Sequence, residues 1–215
     1  MDRQSLNVVF SQQEWSRDPL ETPFPYYVLL ETSGSDPEHD AEKLHRYFQT
    51  LTEEEFAADG TVAQNLQQAR QLFSLREDIT VALTSRGFVY KYDVSLPLER
   101  YYELVEVTRG RLSQFEDAEV VGYGHLGDGN LHLNVSTPAF DAGVLDSLEP
   151  FLFEWTSANG GSISAEHGIG QHKPRYMHMN NTPEALDVMR TLKCAFDPQH
   201  ILNPYKVLPS PDQSP

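Results

Sequence analysis

Polar and apolar residues change rhythm several times along this chain, and each change predicts an element. Pro25 to Ser33 carries little polarity until its end and reads as a strand. Ser35-Asp36-Pro37-Glu38 then supplies a cap, a proline for the first helical turn and an early acid, so a helix is expected to about Leu51. Thr52 to Gly60 is an acidic connector. From Ala63 to about Ser85, Leu66, Ala69, Leu72, Phe73, Ile79 and Leu83 trace an apolar helical stripe, which Gly87 stops. Phe88 to Val94 alternates as a strand does. A helix is expected from Pro97 to about Phe115, a hairpin from Val120 to Ser136, and an apolar helix from Phe140 to Trp155 that ends at Asn159-Gly160-Gly161. Residues 162–177 form a loop rich in glycine and histidine, and Pro183 to Phe196 is the last helix. Asp197 to Pro209 is irregular, and 210–215 is expected to be disordered. Met1 to Glu21 shows no obvious first element. A hairpin among helices predicts an α+β fold: a largely antiparallel sheet with helices on one face.

The hairpin carries the most chemistry. Its sequence, residues 122–134, is GYGHLGDGNLHLN. Asp128-Gly129 is a two-residue turn signal, because a type I′ turn needs positive φ at both positions. With that turn, Leu126 faces Leu131, His125 faces His132 and Tyr123 faces Asn134. Side chains alternate along a strand, so Tyr123, His125, His132 and Asn134 share one face and the leucines enter the core. Paired residues hold their Cβ atoms about 4.5–5.5 Å apart, close enough for two imidazoles to share one divalent ion. The alternative is a pair of hydrogen-bonded sheet histidines. Gly122, Gly124 and Gly127 also match G-x-G-x-x-G, but no helix opens from them, so a dinucleotide loop is rejected.

A second run, Ser164-Ala-Glu-His-Gly-Ile-Gly-Gln-His-Lys173, is equally unusual. Glu166 would complete a set of two histidines and one carboxylate, which suits zinc or a similar ion with open positions. Neighbours on an extended segment point opposite ways, so His167 is better cast as a general base. The competing reading is a solvated Glu-His pair on a surface loop. His172 and His178 are expected to be exposed.

Composition narrows the partners. The 215 residues carry 32 acidic and 16 basic side chains, a net charge of −16. There is no basic run, so neither nucleic acid nor anionic lipid is an expected partner. The one cysteine, Cys194, excludes an intrachain disulfide, fits a reducing compartment and is expected in the core. No apolar run reaches the ~18 residues of a membrane span. The start resembles no signal or transit peptide, since Asp2, Glu14, Asp18 and Glu21 are too acidic for one.

Three phrases resemble the C-terminal part of FAD-linked 2-hydroxy-acid dehydrogenases: the hairpin, Ser164 to Gly170, and Asp197-Pro-Gln-His-Ile-Leu-Asn-Pro-Tyr-Lys206. Met1 to Ser5, Glu31 to Gly34, His39 to Lys43 and Tyr90 to Pro97 resemble the members that act on D-2-hydroxyglutarate. The likeness runs from Met1 to about Pro209. It implies that His125, His132 and Glu166 hold zinc and that Asn134 and His167 meet the substrate. It also implies that Arg76, Thr80 and Lys91 bind the carboxylates of a 2-hydroxy diacid. Arginine and lysine suit that task, and Arg76 and Thr80 are spaced i, i+4 on the expected helix. The implied reaction is oxidation of D-2-hydroxyglutarate to 2-oxoglutarate, with hydride transfer to FAD, electrons passed to an acceptor protein and a mitochondrial location.

The expected layout is a leading segment 1–24, a substrate- and metal-binding domain 25–209 and the tail 210–215. No segment resembles the family's N-terminal flavin domain, so the chain is expected to be inactive alone. The alternatives are a self-sufficient zinc hydrolase and a non-catalytic interaction fragment.

Overall fold

The computed structural model describes residues 1–209, so the expected disordered tail at 210–215 lies outside the described residues. The chain divides into two compact units, Met1–Ser85 and Arg86–Pro215.

The first unit opens with a helix that the sequence did not announce. Asp2 caps α1 (Arg3–Gln12): its Oδ1 accepts from the Ser5 amide at 2.8 Å and from the Ser5 hydroxyl at 2.6 Å. Leu6, Val8 and Val9 are its buried residues, together with Ser5. The strand expected over 25–33 does not form. Only an isolated bridge joins Tyr26 to Asp2, with Arg3 N–H donating to Pro25 O and Tyr27 N–H to Met1 O, each at 2.9 Å. A strand needs a long extended partner, and here the partner turns into α1 at once. Tyr27 is fixed instead by its hydroxyl, which donates to Asp18 at 2.8 Å and accepts from Arg3 at 2.6 Å; Arg3 also pairs with Asp18.

Helix α2 (Pro37–Glu53) starts as expected. Asp36 accepts from the amides of Glu38 and His39, and Pro37 needs no amide partner. The long helix expected over 63–85 is two, α3 (Leu66–Glu77) and α4 (Ile79–Arg86), interrupted at Asp78. The interruption is slight. Asp78 N–H reaches Ser74 O at 2.9 Å, and Ala82 N–H reaches Asp78 O at 2.8 Å.

The second unit is built on three antiparallel strands in the order β1-β3-β2: β1 (Phe88–Ser95), β2 (Glu119–His125) and β3 (Asn130–Thr137). The expected hairpin is present, but its register differs by two residues. His125 faces Asn130, Tyr123 faces His132 and Val121 faces Asn134. The connection is therefore four residues, Leu126–Gly129, not the two-residue Asp128-Gly129 turn. Asp128 accepts from Asn130 N–H at 3.0 Å, and Gly129 sits at φ 70°. A side chain on Gly129 would meet the Leu96 carbonyl at 2.3 Å, while Gly129 O accepts from Leu96 N–H at 3.0 Å. That bond ties the turn to the residue after β1.

A slip of two residues keeps every side chain on its expected face. Tyr90, Tyr92, Val94, Val120, Leu131, Leu133 and Val135 line the apolar face. Against them pack α5 (Glu103–Arg111), α6 (Ala142–Leu148) and α7 (Phe151–Ala158), through Leu104, Val105, Val144, Leu148, Leu152 and Phe153. The fold is thus the α+β arrangement expected, with the helices of this unit's core on one face of the sheet. Two expected helices are shorter than read. The segment after Pro97 makes a 3₁₀ turn (Leu98–Arg100) before α5, and Pro150 divides 140–155 into α6 and α7, since proline lacks the amide a continuous helix requires. A second 3₁₀ turn (Pro174–Met179) precedes α8 (Pro183–Phe196). Cys194 is exposed, contrary to expectation, because α8 buries only Leu186. No helix among the described residues is long and apolar enough to cross a membrane.

Beneath the core, Glu149 gathers three donors: Tyr92 at 3.1 Å, Tyr176 at 2.8 Å and Arg175 at 3.0 Å. Burial, and then the Glu149 charge, raise the Tyr92 phenol above its ordinary range and push Tyr176 up to about 12.

Leu133 is fully buried in the middle strand. Leu133→Ala is expected to cost about 2–5 kcal/mol of unfolding free energy in urea, from lost transfer energy and the cavity left behind. A loss under about 0.5 kcal/mol would contradict this core. The phenols predict an alkaline effect. Their folded pKa values exceed the ordinary 10.0, so the stability they contribute is complete below pH 10.0 and declines as pH rises towards about 12. The urea midpoint should fall between about pH 9 and about pH 11, and fall less in Tyr92→Phe/Tyr176→Phe. Equal slopes in the two proteins would exclude the pair as a cause.

Candidate functional site

The sheet's other face is polar, and the strand pairings determine who meets on it. Lys91 lies opposite Asn134, and Asp93 lies opposite His132, which also faces Tyr123 across β2. The four residues expected on one face, Tyr123, His125, His132 and Asn134, do share it. Asn134 Nδ2 donates to the Tyr123 hydroxyl at 3.1 Å. On the opposite, apolar face, a Cβ at Gly124 would lie 2.1 Å from Asn130 O and 2.5 Å from the Tyr101 hydroxyl, so only glycine fits there.

The 162–173 loop reaches this face because β1 holds it. Ser95 and Ser162 exchange backbone hydrogen bonds at 3.0 and 2.9 Å. The Lys173 ammonium donates to Ile163 O at 2.7 Å and to Asp93 O at 3.2 Å. Above all, Asp93 Oδ2 accepts three consecutive amides: Ala165 at 3.0 Å, Glu166 at 3.0 Å and His167 at 2.9 Å. Successive amides aimed at one oxygen form an anion nest built by this chain around its own carboxylate. Burial alone would raise the Asp93 pKa. The amides of His167 and Glu166, with the charges of His167 and Lys173, outweigh it and hold the carboxyl below its ordinary range. Lys173 is shifted downward by burial, against the pull of Asp93 and Glu149.

Asp93, His132, Glu166 and His167 thereby converge, each offering one ligand atom within 4.8 Å of the others. His132 Nε2 lies 3.2 Å from Glu166 Oε1, and His167 Nε2 lies 3.6 Å from the same oxygen. The rings of His132 and His167 are stacked at 5.5 Å. Asp93 and His132 are buried, whereas the side chains of Glu166 and His167 are 49% and 61% exposed. The group is walled on the sheet side and open on the loop side. Imidazole nitrogens and carboxylate oxygens in this number are a donor set that fits a divalent ion of the zinc type.

The structure brings His132, Glu166 and His167 together. His125 stands at the exposed end of β2, outside this tight group, with its ring 5.6 Å from that of His132. Lys91 and Asn134 form the neighbouring cross-strand pair on the same face. Arg76 and Thr80 belong to the first unit, in the last turn of α3 and the first turn of α4. His178 lies in the second 3₁₀ turn and, like His172, is exposed.

Asp93 is the residue that sequence reasoning missed. Its alternation signal was present, since Tyr92-Asp93-Val94 puts a charge between two core residues. The β1–β3 register that sets it opposite His132 could not be read from one strand alone.

The chain matches the family model "FAD linked oxidases, C-terminal domain" over residues 1–207. It is 51% identical to mitochondrial D-2-hydroxyglutarate dehydrogenase of Bos taurus, over 86% of this chain and 34% of that protein. It is 44% identical to the enzyme of the same name from Arabidopsis thaliana, over 97% of this chain and 37% of that protein. It is 38% identical to a D-2-hydroxyglutarate–pyruvate transhydrogenase of Saccharomyces cerevisiae, over 97% of this chain and 44% of that protein. The chain thus spans between a third and a half of the length of these relatives.

Proposed function

The chain belongs to the family of FAD-linked oxidases, C-terminal domain, and from that premise we propose that it is the substrate- and metal-binding part of an FAD-dependent dehydrogenase that oxidises D-2-hydroxyglutarate to 2-oxoglutarate. The observation that carries the reading is the convergence of His132, Glu166 and His167 on the polar face of the sheet, beside Lys91 and Asn134. The names of the bovine and Arabidopsis relatives support the substrate and extend the reading to a mitochondrial location.

His132 and Glu166 would hold the ion, with His125 closing in from the end of β2. A divalent ion held there would supply Lewis acidity. FAD supplies the hydride acceptor, a capacity that no side chain has. The described residues offer no strand-glycine-helix cradle for the flavin: Gly122, Gly124 and Gly127 run along β2 into the hairpin loop. This chain's own contribution is to bind, orient and deprotonate. His167, exposed and 3.6 Å from the Glu166 carboxylate, takes the C2 hydroxyl proton at Nε2 in this reading. Asn134, anchored through Tyr123, orients the substrate by hydrogen bonding. Lys91, Arg76 and Thr80 bind its carboxylates, the arginine offering a two-pronged contact. Bound FAD would in turn supply electrons to an acceptor protein.

Calorimetry tests the metal reading. Zinc should bind the chain with a stoichiometry of about one, and His132→Ala should remove most of that binding, since few protein ligands hold such an ion. Equal zinc affinity in the two proteins would defeat the site. Steady-state kinetics of the FAD-loaded enzyme test the carboxylate contacts. Arg76→Ala should lower kcat/KM for the diacid by about 2–5 kcal/mol of transition-state binding, the cost of leaving a substrate carboxylate unpaired, and Lys91→Ala should lower it in the same direction. Unchanged kinetics would remove these two residues from the pocket.

A further inference from the structure

We propose that Asp93 is a positioning residue with two tasks, one for each carboxylate oxygen: Oδ2 shapes the turn that carries Glu166 and His167, and Oδ1 orients the His132 ring so that its Nε2 lone pair faces Glu166. The second task rests on the metal-site reading above; the first stands on hydrogen bonds alone. Oδ2 is saturated by the amides of Ala165, Glu166 and His167 at 3.0, 3.0 and 2.9 Å. Oδ1 is buried and has no hydrogen-bond partner among the described residues. It lies 3.9 Å from His132 Nδ1, while His132 Nε2 lies 3.2 Å from Glu166 Oε1. Nδ1 thus looks towards Asp93 and Nε2 towards Glu166.

A neutral imidazole carries a single N–H. With that proton on Nδ1, directed at an anion, Nε2 presents a lone pair towards Glu166. The 3.9 Å separation is longer than a hydrogen bond, and a shift of about 1 Å closes it. A buried carboxylate oxygen without a donor is costly, which favours that shift. Asp93 Oδ1 is on the Nδ1 side of the ring and Glu166 Oε1 on the Nε2 side, so Asp93 would act on an ion held by Nε2 and Glu166 through the ring. Outer-shell carboxylates of this kind set the tautomer of a liganding histidine and raise its basicity. The three amides of the nest hold the Asp93 side chain in place beside the ring. A residue serving only as a loop anchor would need just the Oδ2 half of this arrangement.

Asp93→Asn separates the two tasks. Its amide oxygen can still accept the three backbone N–H groups, but its NH₂ donates towards Nδ1 and drives the ring proton onto Nε2. Hydrogen exchange at residues 165–167 should therefore stay within about threefold of wild type, while zinc affinity measured by calorimetry falls about 10–100-fold. Asp93→Ala should lose both the protection and the affinity. Wild-type zinc affinity in Asp93→Asn would overturn the His132 task, and unprotected amides in wild type would overturn the loop task. The metal-free wild-type protein tests the tautomer without any variant: ¹⁵N spectra of His132 should show the proton on Nδ1, and a proton on Nε2 overturns the assignment even if Asp93→Asn does not fold. Absence of zinc binding in wild type would defeat the metal reading instead, leaving the tautomer and the exchange pattern to decide the role of Asp93.

Discussion

One carboxylate oxygen holds the two halves of the candidate site together. Asp93 comes from the middle of β1, and the amides it binds come from a loop more than seventy residues later in the chain. Without that contact, Glu166 and His167 would sit on a glycine-rich loop with many accessible backbone states. Fixing a residue's backbone costs about 1–2 kcal/mol, so three bonds to an anion, each stronger than a neutral hydrogen bond, are a proportionate restraint. The carboxylate itself is expensive to bury. The nest of amides offsets that expense, and the depressed pKa of Asp93 reflects the same balance. The Ser95–Ser162 bridge and the Lys173 contacts act along the same seam.

The sheet contributes by separating two kinds of chemistry that lie one residue apart. Leu131, Leu133 and Val135 point into a core of helices, while His132 and Asn134 point the other way. Strand parity makes this separation robust. The turn adds two residues to the expected connection, and the pairing shifts from His125–His132 to Tyr123–His132. Because the shift is even, no side chain changes face. What changes is distance: His125 moves from directly opposite His132 to a diagonal position at the strand's end.

That difference explains which parts were legible in the sequence. Face assignment needs only alternation, which is local, so the hairpin, β1 and the apolar surface beneath were readable. Turn length was less so. Asp128-Gly129 is a good two-residue signal, but Gly129 also bonds to Leu96, a tertiary contact that favours the longer connection. The same limit hid α1, whose cap at Asp2 is clear in retrospect but whose ten residues have only a loose apolar stripe, Leu6, Val8 and Val9. It hid Asp93 most of all. A buried acid between two core residues reads as an anomaly until a second strand and a distant loop are set beside it. Arg76, Thr80 and Lys91 carried no local signal either, and entered only through likeness to a family.

The burial pattern of the four converging residues suits a site that must exchange its occupant. Asp93 and His132 are buried on the sheet, away from solvent. Glu166 and His167 are about half exposed and can meet a substrate from solvent. A metal cage closed on all sides would serve folding; one with a rigid wall and an open edge leaves coordination positions for a hydroxyl or carboxylate oxygen. The base proposed for the reaction stands on the open side, where a proton can pass onward to water, and Asp93, proposed to orient His132, stands on the closed side. The arrangement thus keeps Asp93 and His132 on the strands, and Glu166 and His167 on a loop that solvent reaches.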